Sequence, residues 1–280
     1  MNSMRSTDAT PKAVTAIDSH AHVFRRGLPL APVRRHTPDY DALLADYLKV
    51  LDAHAVSHAV LVQPSFLGTD NRFLLEALRA CPQRLRGVAM VDPSVSEREL
   101  DALAAGGVCG IRLNLVGLAI PDFARAEWQA LFARIRAVDW HVELHRESRD
   151  IAVAAQPVLD AGCKLVVDHF GRPEAVPGAN DEGFAWLLRA SESGRVWVKL
   201  AAAYRTWPDQ RGAAAREAAR TLLHAFGAER LVWGSDWPHT QHREFADYAS
   251  AHAALTDWVP DATDRKRILI DTPAQLFHFV

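Results

Sequence analysis

The 280-residue chain carries 32 Lys and Arg against 34 Asp and Glu, a formal net charge of −2. No basic face is evident, so nucleic acid is not an expected partner. Its 49% hydrophobic content supports a large core, yet no apolar run reaches the roughly 18 residues that span a membrane. Residues 1–12 lack the apolar stretch of a signal peptide and read as a flexible segment. Cys81, Cys109 and Cys163 are scattered, without C-x-x-C spacing, which fits a reducing cytoplasm.

In chain order, residues 13–17 read as a first strand that ends in Asp18-Ser19-His20-Ala21-His22. Alternation along a strand turns His20 and His22 to one side, where two imidazoles can converge on a metal ion or a substrate oxygen. A Pro- and Arg-rich loop covers 25–39, and Asp39 or Asp41 is placed to cap a helix containing Leu43, Leu44, Tyr47, Leu48 and Leu51. A strand over 58–63 leads through a polar turn to a helix over 72–80. The alternation then repeats. Strands are expected at 85–91, 110–115, 141–145, 164–169, 196–200 and 231–236. Helices are expected at 96–105, 125–138, 151–161, 182–190, 212–226 and 244–258, with a closing helix over 264–276.

Strict alternation of strand and helix specifies a parallel sheet, and near-continuous apolar strands fit a sheet covered on both faces. Eight such units close a (β/α)8 TIM barrel. A doubly wound open sheet is the alternative, but the first βα turn lacks G-x-G-x-x-G. The expected organisation is one barrel domain over 13–280 behind the flexible 1–12.

In such barrels catalytic groups sit at the C-terminal strand ends. This chain places His20 and His22, Ser65, Arg112 and Asn114, Glu143 and His145, Asp168 and His169, Tyr204 and Arg205, then Asp236 and His239 at those ends. Buried charges are costly unless paired, so this concentration reads as a site. Arg112, alone in an apolar strand, needs an anion: a substrate carboxylate or Glu143. Asp18 reads as an orienting partner for a histidine, and Lys199 as a paired structural lysine. His36, His54, His58, His141, His224, His242, His252 and His278 read as incidental.

Asp18-Ser19-His20-Ala21-His22, Val167-Asp168-His169-Phe170-Gly171-Arg172-Pro173 and Trp233-Gly234-Ser235-Asp236-Trp237-Pro238-His239 together resemble the amidohydrolase superfamily. Within it they are most similar to the branch of 2-pyrone-4,6-dicarboxylate lactonase-like hydrolases, which includes sugar-acid lactonases. The resemblance implies hydrolysis of a small carboxylated or polyhydroxylated lactone. It implies that His20, His22 and His169 polarise the carbonyl and that Asp236 moves the proton of the attacking water. Arg112, Arg205 and Ser65, with Tyr204, His239 and His145 nearby, would bind substrate. No metal is obligatory on this reading; were zinc bound, His20, His22, His145 and Asp236 would hold it.

One departure from the branch is plain. A second base is expected after the Gly-x-Arg-x-Asn segment, and this chain has Leu115-Val116-Gly117-Leu118 there, which counts against a dicarboxylate substrate. The competing readings are a zinc-dependent amidohydrolase or decarboxylase using the same residues, and a non-catalytic ligand-binding barrel. The expected partner is a small lactone, with room left for a homo-oligomer and none for membrane or nucleic acid.

Overall fold

A computed structural model describes residues 13–174, 181–207 and 211–279; the segment 1–12, expected to be flexible, lies outside the described residues. Eight parallel strands pair in chain order: β1 (Ile17–Ala21), β2 (His58–Val62), β3 (Leu85–Ala89), β4 (Val108–Asn114), β5 (His141–His145), β6 (Lys164–Val167), β7 (Val196–Ala201) and β8 (Leu231–Gly234). The barrel closes where His20 O accepts the Asp236 N–H at 2.8 Å and Trp237 O accepts the His22 N–H at 2.8 Å. Around it run α1 (Leu44–Ala53), α2 (Arg72–Ala80), α3 (Glu97–Ala105), α4 (Ala126–Ala137), α5 (Ile151–Asp160), α6 (Glu182–Ala190), α7 (Ala203–Thr206), α8 (Arg211–Phe226) and α9 (Tyr248–Trp258). The architecture is the (β/α)8 barrel that the alternation specifies.

Alternation along the strands sorts the core into two parts. Leu113, Val142, Leu144, Leu165, Val167, Val198 and Leu200 pack outward with helix residues such as Phe132, Leu159 and Leu187. Ile17, Val60, Val62, Val88, Val166 and Val232 form a separate interior cluster with Leu276 and Phe277 from the C-terminal segment. Gly110 is required here: a Cβ would lie 2.3 Å from Cε1 of the buried His141 ring. Above this apolar layer the inward positions are polar, and they build the site.

Several boundaries differ from the sequence reading, and three of the differences have a clear physical reason. The first strand is Ile17–Ala21, which takes in most of the histidine motif and leaves out 13–16. Asp18 can sit buried in it because Ser235, across the seam, and Tyr47 of α1 satisfy it. Asp18 accepts from Ser235 N at 2.9 Å, Ser235 Oγ at 2.5 Å and Tyr47 Oη at 2.8 Å. Asp18 therefore staples β1 to the chain after β8; it also accepts from the His20 backbone N–H at 3.2 Å, and among the described residues it meets no imidazole. Neither Asp39 nor Asp41 caps α1, which starts after Leu43 without a side-chain cap. Asp41 instead accepts from Arg26 N at 2.7 Å and from its guanidinium at 3.3 Å. The closing helix is split into α10 (Ala262–Lys266), a wider turn over Arg267–Asp271 and α11 (Thr272–Leu276). Pro273 has no N–H to continue the regular ladder.

Cys109 and Cys163 are buried as expected, and all three cysteines are free thiols. Among the described residues no helix is long and apolar enough to cross a membrane.

Candidate active site

The floor of the barrel mouth is a buried ionic network. Lys199 of β7 reaches inward to Glu143 of β5 and lies 3.5 Å from Asp168 Oδ1. Arg112 of β4 donates to Asp168 Oδ2 at 2.7 Å and lies 3.2 Å from Glu143 Oε1. The anion that Arg112 needs is thus supplied within the protein, by two carboxylates. Lys199 is the paired lysine expected. Its Nζ also sits 3.0 Å from His20 Nδ1. Nδ1 also faces Asp168 Oδ1 at 3.3 Å and Glu143 Oε1 at 3.6 Å; an ammonium only donates, so in the shorter Lys199 contact Nδ1 accepts, which places the ring proton of neutral His20 on Nε2. That nitrogen is buried and has no protein partner, which leaves an N–H aimed at the mouth.

A second group of strand-end side chains lies above this floor. His169 and Asp236 both adopt positive φ, 51° and 61°. That left-handed conformation costs a non-glycine residue on the order of 1 kcal/mol or more, and here it turns both side chains into the cavity. Asp236 Oδ2 accepts from Tyr204 Oη and Arg205 Nε, each at 2.6 Å. The Tyr204 proton is committed to that bond, so its oxygen accepts from His239 Nδ1 at 3.1 Å. Asp236 Oδ1 faces two imidazoles instead, His22 Nε2 at 3.5 Å and His20 Nε2 at 3.8 Å. His22 is itself oriented by Val62 O, which accepts from its Nδ1 at 2.8 Å.

A narrow cavity of about 60 Å³ is lined by His22, Ser65, Arg112, Asn114, His145, His169, Arg205 and Asp236. Candidates from seven different strand ends therefore meet in one place. Tyr204 and His239 stand behind Asp236, and His20 lies beneath it. A larger hollow of about 320 Å³ lies beyond Tyr204, against Phe245 and Trp258, and none of the strand-end histidines borders it.

Electrostatics keeps these groups in fixed charge states. Burial pushes the Asp236 carboxyl up, but Arg205, His22, His169 and His20 outweigh it and hold it well below the usual carboxylate range. Burial lowers His169 to about 3 and holds His20 well below its ordinary value, with the Lys199 charge adding to the latter. His145 is lowered by burial, then by His169 and Arg112. At the floor of the barrel, burial also lowers His141 to about 3.

The sign of the stability effect follows. On acidification through the ordinary imidazole range the unfolded chain binds protons at these four histidines, and the folded chain does not, so stability is lost as pH falls. Glu143, raised by burial and by Asp168, and Asp18, raised by burial, oppose this. The urea midpoint is expected to be lower at about pH 5 than at about pH 7. A higher midpoint at the acidic pH would contradict the neutral buried imidazoles.

Metal-ligand atoms of His20, His169 and Asp236 lie within 4.8 Å of one another, and those of His145 group with Asp168 and His169. The set named from sequence, with His22 and His145, is not one of these convergent groups. Two imidazoles and a carboxylate suit zinc. The Lys199 ammonium on Nδ1, however, puts a proton where His20 Nε2 would need a lone pair. The residues as arranged do not fit the ion, and no step is routed through it.

Several lining residues escaped the sequence reading. His36, Thr240 and Gln241 border the cavity, as does Arg35, whose Nη2 donates to Asn114 Oδ1 at 2.9 Å. Arg172 reaches His145 Nε2 at 3.4 Å. His36 is thus a cavity residue and not incidental. Arg35 and His36 lie in the loop 25–39, where the Arg-rich composition was the one available signal.

Residues 17–279 match the amidohydrolase family. The 2-pyrone-4,6-dicarboxylate hydrolase of Comamonas testosteroni is 32% identical over 278 residues, covering 94% of this chain and 90% of its own. A solved structure from Pseudomonas putida, named as a 2-pyrone-4,6-dicarboxylic acid hydrolase, is 50% identical with a TM-score of 0.90, covering 96% of this chain and 99% of that one. A similarly named structure from Acinetobacter baumannii, with citric acid bound, is 34% identical with a TM-score of 0.91, covering 95% of this chain and all of the other, 100%.

Proposed function

The chain belongs to the amidohydrolase family, and from that premise we propose that it is a hydrolase opening the ring ester of a small anionic lactone of the 2-pyrone-4,6-dicarboxylate type. One observation carries the reading. Asp236 has one oxygen tied to Tyr204 and Arg205, while the other faces the imidazoles that would surround a lactone carbonyl.

The roles follow from that division. Water held at Asp236 Oδ1 gives up its proton as its oxygen adds to the carbonyl carbon. The charge that develops on the carbonyl oxygen is met by the His20 Nε2–H, with His169 and His22 beside it; His22, its Nδ1 proton held by Val62 O, donates from Nε2 only as an imidazolium. Donors fixed there help most in the transition state. The tetrahedral adduct then collapses, the ring C–O bond breaks, and Asp236 returns the proton to the leaving oxygen. Arg205, Ser65 and Arg112 border the space for substrate carboxylates or hydroxyls, with His145, Tyr204 and His239 in support. A substrate carboxylate that shares the Arg205 guanidinium weakens its hold on Asp236 and raises the basicity of that carboxylate as the substrate binds.

Proton release from a panel of lactones tests the proposal: 2-pyrone-4,6-dicarboxylate, an aldonolactone and a neutral lactone. Turnover of the carboxylated ring is expected. Failure to open any lactone would overturn it. Activity is expected to survive removal of divalent metal, since the Lys199–His20 contact commits Nε2 to a proton. Loss of activity on chelation, restored by zinc alone, would overturn this and establish a zinc-dependent reaction at the cluster of His20, His169 and Asp236. The three free thiols accord with a cytoplasmic enzyme.

A further inference from the structure

We infer that Arg35, delivered by the loop between β1 and α1, is a second anion clamp of this cavity, so that the substrate carries two acidic groups. The inference rests on the lactone reading of the site and deepens it.

Three guanidiniums line the cavity: Arg35, Arg112 and Arg205. Two are already engaged, Arg112 by Asp168 and Glu143, and Arg205 by Asp236. Among the described residues Arg35 has no carboxylate within ion-pair distance. It is held in place by a neutral acceptor, Asn114 Oδ1, 79 positions away in sequence. Burial and the charges of Arg112, Arg172 and Arg205 all work against its positive charge, and Glu147 only partly offsets them. Arg35 is exposed at the rim of the cavity, and a cation kept among other cations is relieved by an anionic ligand, which makes the free site receptive to one.

Its location supplies the second argument. The stretch Leu115-Val116-Gly117-Leu118 has no base. Arg35 lies across that stretch: a Cβ built on Gly117 would sit 3.9 Å from Arg35 Cδ. Gly117 has φ +70°, a backbone suited to glycine, and offers no side chain of its own. A guanidinium from a distant loop thus covers the segment that carries none, over the same cavity. The missing charge arrives through space, so a base-free 115–118 is compatible with a dicarboxylate.

The test compares the full-length enzyme with its R35Q and R35K variants. Each is assayed with 2-pyrone-4,6-dicarboxylate and its monocarboxylated analogue, and citrate binding is measured by calorimetry, which needs no turnover. R35Q is expected to lower kcat/KM for the dicarboxylate about tenfold or more through KM, leave the monocarboxylate nearly unchanged and weaken citrate binding to a similar extent. R35K is expected to recover part of the loss. Equal losses on both lactones, or citrate binding indifferent to position 35, would overturn the clamp. Citrate binding that depends on Arg35, in an enzyme that opens no lactone, would leave the clamp standing and overturn the lactone reading.

Discussion

Replacing Asp236 with Asn is expected to lower kcat by about 10²–10⁴-fold, the range for loss of a positioned general base. The amide keeps the shape and leaves an oxygen to accept from Tyr204 or Arg205, but it cannot take a proton from water. The variant is expected to bind citrate still, because Arg35, Arg112 and Ser65 are untouched. It loses some stability as well, since the half-buried Arg205 exchanges a carboxylate for a neutral amide. Retained citrate binding with lost turnover separates the chemical role from a folding defect. Activity within a few-fold of the parent enzyme would remove Asp236 from the reaction and the proposed mechanism with it.

The second large effect is expected at Lys199→Met. The ammonium is fully buried between Glu143, Asp168 and His20. Deleting one partner of a buried ion pair leaves the other uncompensated and costs about 3–5 kcal/mol. Arg112 continues to engage Asp168 and Glu143 Oε1, so the burden falls on Glu143 Oε2, which Lys199 held. The double variant K199M/E143L removes both members of the pair and is expected to regain a substantial part of the loss, which chemical denaturation of the four members of the cycle measures. Lys199→Met is also expected to lower kcat, because nothing then keeps the His20 proton on Nε2. An unchanged denaturation midpoint would mean that the floor of the site is not the coupled network described.

Much of this molecule is legible in its sequence. Helices α2 and α6 and strand β5 run over the residues expected, because hydrophobic period and flanking punctuation are local properties. Local rules failed where partners came from far away. Asp18 and Ser19 read as the end of a strand, yet they lie inside β1 because Ser235 and Tyr47 satisfy Asp18 across the seam. Arg112 read as a group in search of an anion, and the choice between substrate and protein could not be made from spacing alone.

The sequence by itself determined the order of strands and helices and which residue types stand at the strand ends, since the two-residue period of a strand decides which side chains face inward. It thereby determined that imidazoles, carboxylates and guanidiniums share one rim. The tertiary structure alone decided how those charges are divided. Asp168 engages Arg112 from 56 positions away, and Lys199 engages His20 from 179 away. Arg35 crosses from a loop to cover Gly117, a glycine that has no charge of its own. Coulomb and hydrogen-bond energies depend on separation in space, and a closed barrel brings its remotest segments within hydrogen-bonding distance.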